Sequence, residues 1–257
     1  MSNWSAGEPY DRYIGRWSRP VAAAFVAWLG GPPGRRWLDV GCGTGALTSA
    51  VLDGAEPASV LGVDPSEGFL SVARMRVTDG RARFEVGDAR SLPVPDHAVD
   101  AVVSGLALNF VPDPAAALAE FVRVARPGGV IAAYVWDYAE GMAMLRYFWD
   151  AVVALDPAAG ALDEGPRFPL CRPDGLRERW TAAGLNGVDV RPIDVPTVFA
   201  DFADYWDPFL GGQGPGPAYV AGLAPPARAA LRDRLHTALG DGPIALTARA
   251  WAVVGTV

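Results

Sequence analysis

The chain has 257 residues, about half of them apolar, and a formal charge of −7. That length buries one sizeable core with residues left over for an elaborated second layer, and the acidic balance disfavours contact with a nucleic-acid backbone. Two cysteines, Cys42 and Cys171, argue against a disulfide framework or a thiolate metal centre; every one of the 22 Lys+Arg cations is arginine, which excludes lysine Schiff-base chemistry and a P-loop lysine.

No apolar run is long enough to span a bilayer, and "MSNWSAGEPYDRYIGRWSRP" lacks the basic start and apolar middle of a signal peptide, so no membrane is expected and a cytoplasmic location is. The elements alternate along the chain. Helical spacing covers 19–29 and stops at two glycines and two prolines. "RWLDV" (36–40) reads as a strand, "GALTSAVLDG" as the helix after it, "SVLGVDPS" as a second strand and "SEGFLSVARMRV" as a helix. "ARFEVGDA" and "VDAVVSGLAL" supply the third and fourth strands. Asp113 and Pro114 form an N-cap and first-turn proline for a helix over 115–125, "RPGG" ends it, and "VIAAYVW" (130–136) is the fifth strand. This is the pattern of an α/β domain with a mostly parallel sheet.

Beyond Trp136 the pattern loosens. Helices are predicted over 143–155, 173–185 and 225–239, and strands over 187–199 and 244–257, with irregular stretches at about 137–170 and 199–242. No internal repeat or long low-complexity segment interrupts the chain.

The stretch "WLDVGCGTGALT" (37–48) sets an apolar strand ending in Asp39 before Gly41, Gly43 and Gly45, and then a helix. Side chains in such a turn would block a ligand, while the helix N-terminus offers unpaired N–H groups to an anion. The turn also satisfies the dinucleotide pattern G-x-G-x-x-G/A, so alone it leaves the cofactor class open. Asp64, at the end of the second strand, suits both ribose hydroxyls of an adenosine, or else the N-cap of the helix beginning "DPSEG".

The third region narrows the choice. "VGDARSLPVPDHAVDAVVSGLAL" puts Asp88 after strand three and Asp100 at the start of strand four. With "LDVGCGTG", "GVDPS" and "RVARPGGVIAA" it resembles, in register, the class I S-adenosylmethionine-dependent methyltransferases, within them the ubiquinone/menaquinone-biosynthesis-like group of small-molecule enzymes. The resemblance covers residues 10–136 closely and the rest in outline.

It implies a Rossmann-like seven-stranded, mostly parallel sheet whose last strand is antiparallel, flanked by helices on both faces. A single domain over 1–257 is expected, with a partial helical cap from insertions at about 137–170 and 199–242. It also implies S-adenosylmethionine as cofactor and S-adenosylhomocysteine as product. Gly41, Cys42 and Gly43 would then approach the methionine part over Asp39, Asp64 and Pro65 would meet the ribose, and Asp88 and Ala89 the adenine. Ser104 and Gly105 would lie near the reactive methyl, and Tyr13 or Arg16 would meet the cofactor carboxylate.

The expected reaction is in-line methyl transfer to a small, hydrophobic acceptor, in which positioning supplies much of the acceleration and a base is optional. His97, His236 and Asn109 are weighed as bases and none is assigned; no metal is implied. Trp136, Tyr138, Tyr147, Phe148, Trp149, Tyr205, Trp206 and Phe209 are candidates for an apolar pocket, with plain core packing the alternative for each. Two rival functions stand beside this one. A nicotinamide-dependent oxidoreductase would share the glycine turn and Asp64, though without lysine it has no Tyr-x-x-x-Lys pair, and a cofactor-binding relative with a non-methylating role shares every motif.

Overall fold

The computed structural model describes residues 14–211 and 214–257. A turn at Gly15–Trp17 leads into helix α1 (Ser18–Leu29), followed by β1 (Arg36–Val40), α2 (Ala46–Gly54), β2 (Ser59–Asp64), α3 (Glu67–Arg76) and β3 (Ala82–Val86). Then come β4 (Val99–Gly105), α4 (Pro114–Val124) and β5 (Ala125–Trp136). The strands form one sheet in the order β3-β2-β1-β4-β5-β7-β6, where β6 is Asn186–Phe199 and β7 is Ile244–Thr256. Only β7 runs antiparallel, between β5 and β6. This is the expected seven-stranded, mostly parallel sheet flanked by helices.

Central strands carry near-continuous apolar runs because both faces are covered. Trp37, Leu38, Asp39 and Val40 of β1 are all buried, as are Ala101, Val102 and Val103 of β4. On the outermost strand β6, Ile193, Val195, Thr197 and Phe199 are buried in alternation with exposed neighbours, so one face looks inward. At the start of α4, Asp113 accepts the Ala115 and Ala116 N–H groups through Oδ1, with Pro114 in the first turn.

One boundary differs from expectation. β5 begins at Ala125, so "RPGG" belongs to the strand instead of preceding it. Pairing with β4 and with the last residue of the chain brings it into the sheet: Ala125 aligns with Val99, and the Gly128 N–H donates to the Val257 carbonyl.

The irregular stretches hold helix α5 (Ala143–Leu155), short helical turns between 157 and 171, and, after β6, a turn at Phe202–Trp206 and helices α7 (Pro215–Gly222) and α8 (Pro225–Leu239). Helix α6 (Pro173–Ala182) packs on β6 and β7, and its Trp180 indole N–H donates to the Ile131 carbonyl at 3.1 Å. Among the described residues, no helix is long and apolar enough to cross a membrane.

Candidate functional site

Parallel strands leave a crevice at their carboxyl ends where neighbouring connections diverge, here between β1 and β4. A cavity of about 980 Å³ opens there, lined by the ends of β1, β2 and β4, the loop after β3, residues from the start of α1, and part of β5. Beneath it lies Asp39, completely buried. Thr48 Oγ1 donates to Asp39 Oδ2 at 2.7 Å, while Oδ1 has no partner among the described residues. Burial pushes Asp39 up to about 7; the Thr48 bond opposes this and the charge of Asp64 adds to it.

The turn above Asp39 requires its glycines. Gly41 has φ +74°, and a Cβ there would collide with the Ala107 Cβ. Gly43, at φ +53°, is different, since a Cβ there would meet nothing within 4 Å. Gly41 therefore lets two loops touch, whereas Gly43 keeps backbone facing open space. Cys42 turns its thiol onto β2, where a Cβ on Gly62 would come within 2.9 Å of the sulfur, and burial drives that thiol's pKa upward.

Asp64 fastens the turn. Its Oδ2 accepts the Gly43 N–H at 3.0 Å and its Oδ1 the Ser66 N–H at 2.9 Å. Burial raises its pKa, and those two bonds act against the rise. A carboxylate offers about four acceptor positions, so both oxygens retain capacity. Ser66, not Asp64, caps α3, accepting the Phe69 N–H through Oγ at 3.3 Å. Asp88 is half-exposed and folded onto Arg90, whose guanidinium and backbone N–H hold it at about 2. Pro65, Ala89, Ser104 and Gly105 line the same cavity.

Residues 38–133 match the family described as "Methyltransferase domain". A demethylmenaquinone methyltransferase of Symbiobacterium thermophilum is 43% identical over 112 residues, covering 41% of this chain and 44% of that protein. A 2-methyl-6-phytyl-1,4-hydroquinone methyltransferase of Synechocystis is 31% identical over 186 residues, covering 71% and 57%. The chain spans about half the length of these curated relatives. The structure of the YcgJ protein from Bacillus subtilis superposes with a TM-score of 0.60 at 17% identity, over 91% of this chain and 97% of that one, which shows a shared fold. Residues 38–133 thus match a methyltransferase domain, and the chain shares the fold of a solved relative.

Asp39, Gly41, Cys42, Gly43, Asp64, Pro65, Asp88, Ala89, Ser104 and Gly105 surround one cavity. Arg16 does not join them. Its Nη1 donates to Asp204 Oδ1 at 2.7 Å and its guanidinium lies against the Trp17 and Phe199 rings, so in place of the expected contact with a cofactor carboxylate it pairs with the turn that follows β6. Tyr13 lies outside the described residues. Asp100 sits at the opposite end of the sheet from the cavity, accepting from the Arg36 N–H and from the Arg126 guanidinium.

The aromatic candidates divide. Trp136 and Tyr138 line the cavity, whereas Phe148, Trp149, Tyr205, Trp206 and Phe209 are buried away from it, and Tyr147 is exposed. Phe148 and Phe209 stack at 4.3 Å, and the Trp149 indole N–H donates to Glu164 Oε2 at 2.6 Å. None of the weighed bases lines the cavity. His97 Nδ1 lies 3.1 Å from the Ala125 carbonyl, and His236 Nε2 lies 2.7 Å from Asp241 Oδ1.

Sequence reasoning missed the cavity wall made by Ile14, Gly15, Ser18 and Arg19, and Leu106, Ala107, Leu108 and Phe110 after β4. Leu106 holds φ +58°, a conformation costing a non-glycine residue about 1–3 kcal/mol, and its N–H donates to the Tyr134 carbonyl at 2.8 Å. A leucine carries no mark of such a backbone in sequence.

Proposed function

We propose that the chain is a methyltransferase enzyme that binds S-adenosylmethionine and moves its methyl group to a small, hydrophobic acceptor. The observation that carries this reading is the meeting, in one cavity, of the open face of Gly43, the Asp64 carboxylate, the Asp88–Ala89 loop and the Ser104–Gly105 strand end, with Trp136 and Tyr138 further along the wall. A volume of about 980 Å³ lies at the upper end of the roughly 300–1,000 Å³ usual for ligand pockets, so cofactor and acceptor fit side by side.

The residues present suit the cofactor. Asp64 uses one position on each oxygen to hold the turn and has others for two ribose hydroxyls. Gly43 lets the methionine part lie against backbone. Ala89 offers its N–H to the adenine ring, with Asp88 beside it. S-adenosylmethionine supplies an electrophilic methyl on a sulfonium. The chain's own part is to hold the acceptor atom about 3 Å from that methyl on the side opposite sulfur, and to exclude water with Leu106, Trp136 and Tyr138. No residue is assigned as a base.

The acceptor we favour is apolar and ring-containing, in keeping with the quinone and hydroquinone substrates in the relatives' names. We further propose that residues 1–257 act as one domain, with 137–170 and 199–242 forming a partial cap. Both cysteines are free, which supports a cytoplasmic setting. Calorimetric titration with S-adenosylmethionine, S-adenosylhomocysteine and NADH tests the core of the reading. Micromolar binding of the first two and none of the third is expected; binding of NADH alone overturns it.

A further inference from the structure

Arg16 makes a contact that the cofactor reading does not use. The turn at Gly15–Trp17 lies at the start of α1, where Ile14, Gly15 and Ser18 line the cavity. Arg16, between them, faces the other way. It pairs with Asp204, 188 positions further along, and its guanidinium carbon lies 4.5 Å from the Trp17 ring centre and 4.6 Å from that of Phe199. Trp17 itself meets Phe199 edge to face at 5.7 Å.

Asp204 is prepared for this partner. Its Oδ2 accepts the Ala200 N–H at 3.0 Å and its own N–H donates to Asp201 Oδ1 at 2.8 Å, which fixes the carboxylate within the turn that follows β6. Burial acts to raise its pKa, yet the bonds from Arg16 and Ala200 hold it below the usual carboxylate value. Arg16 Nε and Nη2 are buried and have no acceptor among the described residues, so removing Asp204 would leave a partly buried cation without an anion.

We propose that Arg16 is a positioning residue for the cofactor site: its ion pair with Asp204, stacked on Phe199, holds the Ile14–Ser18 turn in place as a cavity wall. The cap segment after β6 thereby sets cofactor affinity without touching the cofactor. This rests on the methyltransferase reading, and two readouts separate the two. The first is hydrogen exchange at the Ile14–Ser18 amides of the full chain, which reports the latch whether or not any cofactor binds. The second is calorimetric affinity for S-adenosylhomocysteine.

The variants are Arg16→Ala, Asp204→Asn, Asp204→Ala, the Arg16→Ala/Asp204→Ala double, and the charge swap Arg16→Asp with Asp204→Arg. Asp204→Asn keeps an acceptor for the Ala200 N–H and removes only the charge, which guards against a variant that simply fails to fold. The expected result is faster exchange at 14–18 in each single variant and affinity reduced about tenfold, with the double variant no worse than either single and the swap recovering most of the loss. If Arg16 were instead a direct ligand of the cofactor carboxylate, Arg16→Ala would weaken binding while Asp204→Asn and Asp204→Ala left it unchanged, which overturns the proposal. Unaltered exchange in the single variants, or unaltered affinity in all of them, overturns it too. A wild-type protein that binds no S-adenosylhomocysteine sinks the methyltransferase reading, and the exchange data still decide the latch.

Discussion

Asp64 shows why a residue's role is seldom one thing. Its two oxygens fasten the backbone of the glycine turn and the start of α3 while facing the cavity. Asp64→Ala would leave two N–H groups without their acceptor as well as removing the charge-assisted bonds to a ribose that we propose. It is expected to lower the thermal midpoint and to weaken S-adenosylmethionine binding by about 2 to 4 kcal/mol. Affinity that survives the change, read by calorimetry, would remove Asp64 from the ribose site. Gly43→Val separates the turn from its ligand differently. The new side chain would project into open cavity at a backbone angle that a β-branched residue resists, so binding should vanish. A Gly43→Val protein that folds and binds normally would mean that the ligand lies elsewhere. Arg16 marks the limit of such reading from sequence: its arginine character was visible, but its partner stands 188 positions away, and only the fold decides that the side chain faces Asp204 and not the cavity.

At the scale of elements, the alternation up to Trp136 was legible because each apolar run is bounded by glycine, proline or an acidic cap that has a local mechanism. Asp113 and Pro114 start α4 through bonds within three residues, and the turn at Gly41–Gly45 follows from its own backbone angles. The early start of β5 was not legible, since what extends "RPGG" is pairing with β4 and with the last residues of the chain. The aromatics after Trp136 were hidden for a similar reason: a ring's composition is the same whether it fills a core or lines a pocket. Phe148 of α5 and Phe209 in the segment after β6 illustrate the former, stacked nearly parallel with both rings fully buried. Phe209→Ala should cost about 3 to 5 kcal/mol of stability, measured by denaturant unfolding, by leaving a cavity between α5 and the segment after β6. A loss below 1 kcal/mol would show that these segments do not rely on each other.

Across the whole molecule, two buried acids far apart in sequence, Asp39 and Glu164, couple stability to pH. Asp39 lies beneath the glycine turn and Glu164 in the segment after α5, and burial pushes each to about 7 from ordinary values of 3.8 and 4.5. Both are raised, so the folded protein holds more protons than the unfolded chain between about pH 4 and pH 7. Their stabilising contribution is therefore complete below their unfolded values and is lost as pH rises through about 7. The growing self-repulsion of a chain already at −7 acts in the same direction, so the wild-type trend alone would not identify the source. The lowered acids do not mask it, because Asp88 titrates near 2 and is half-exposed. Thermal midpoints should fall from pH 5 to pH 8 in the wild type. Asp39→Asn keeps an acceptor for the Thr48 hydroxyl and Glu164→Gln one for the Trp149 indole N–H, while neither can ionise. Each substitution should flatten the slope, and together they should flatten it further, since the two sites share no hydrogen-bond partner. Slopes that match the wild type in both variants would leave Asp39 and Glu164 without a part in the trend and assign it to Asp64, whose pKa burial also raises, and to surface repulsion.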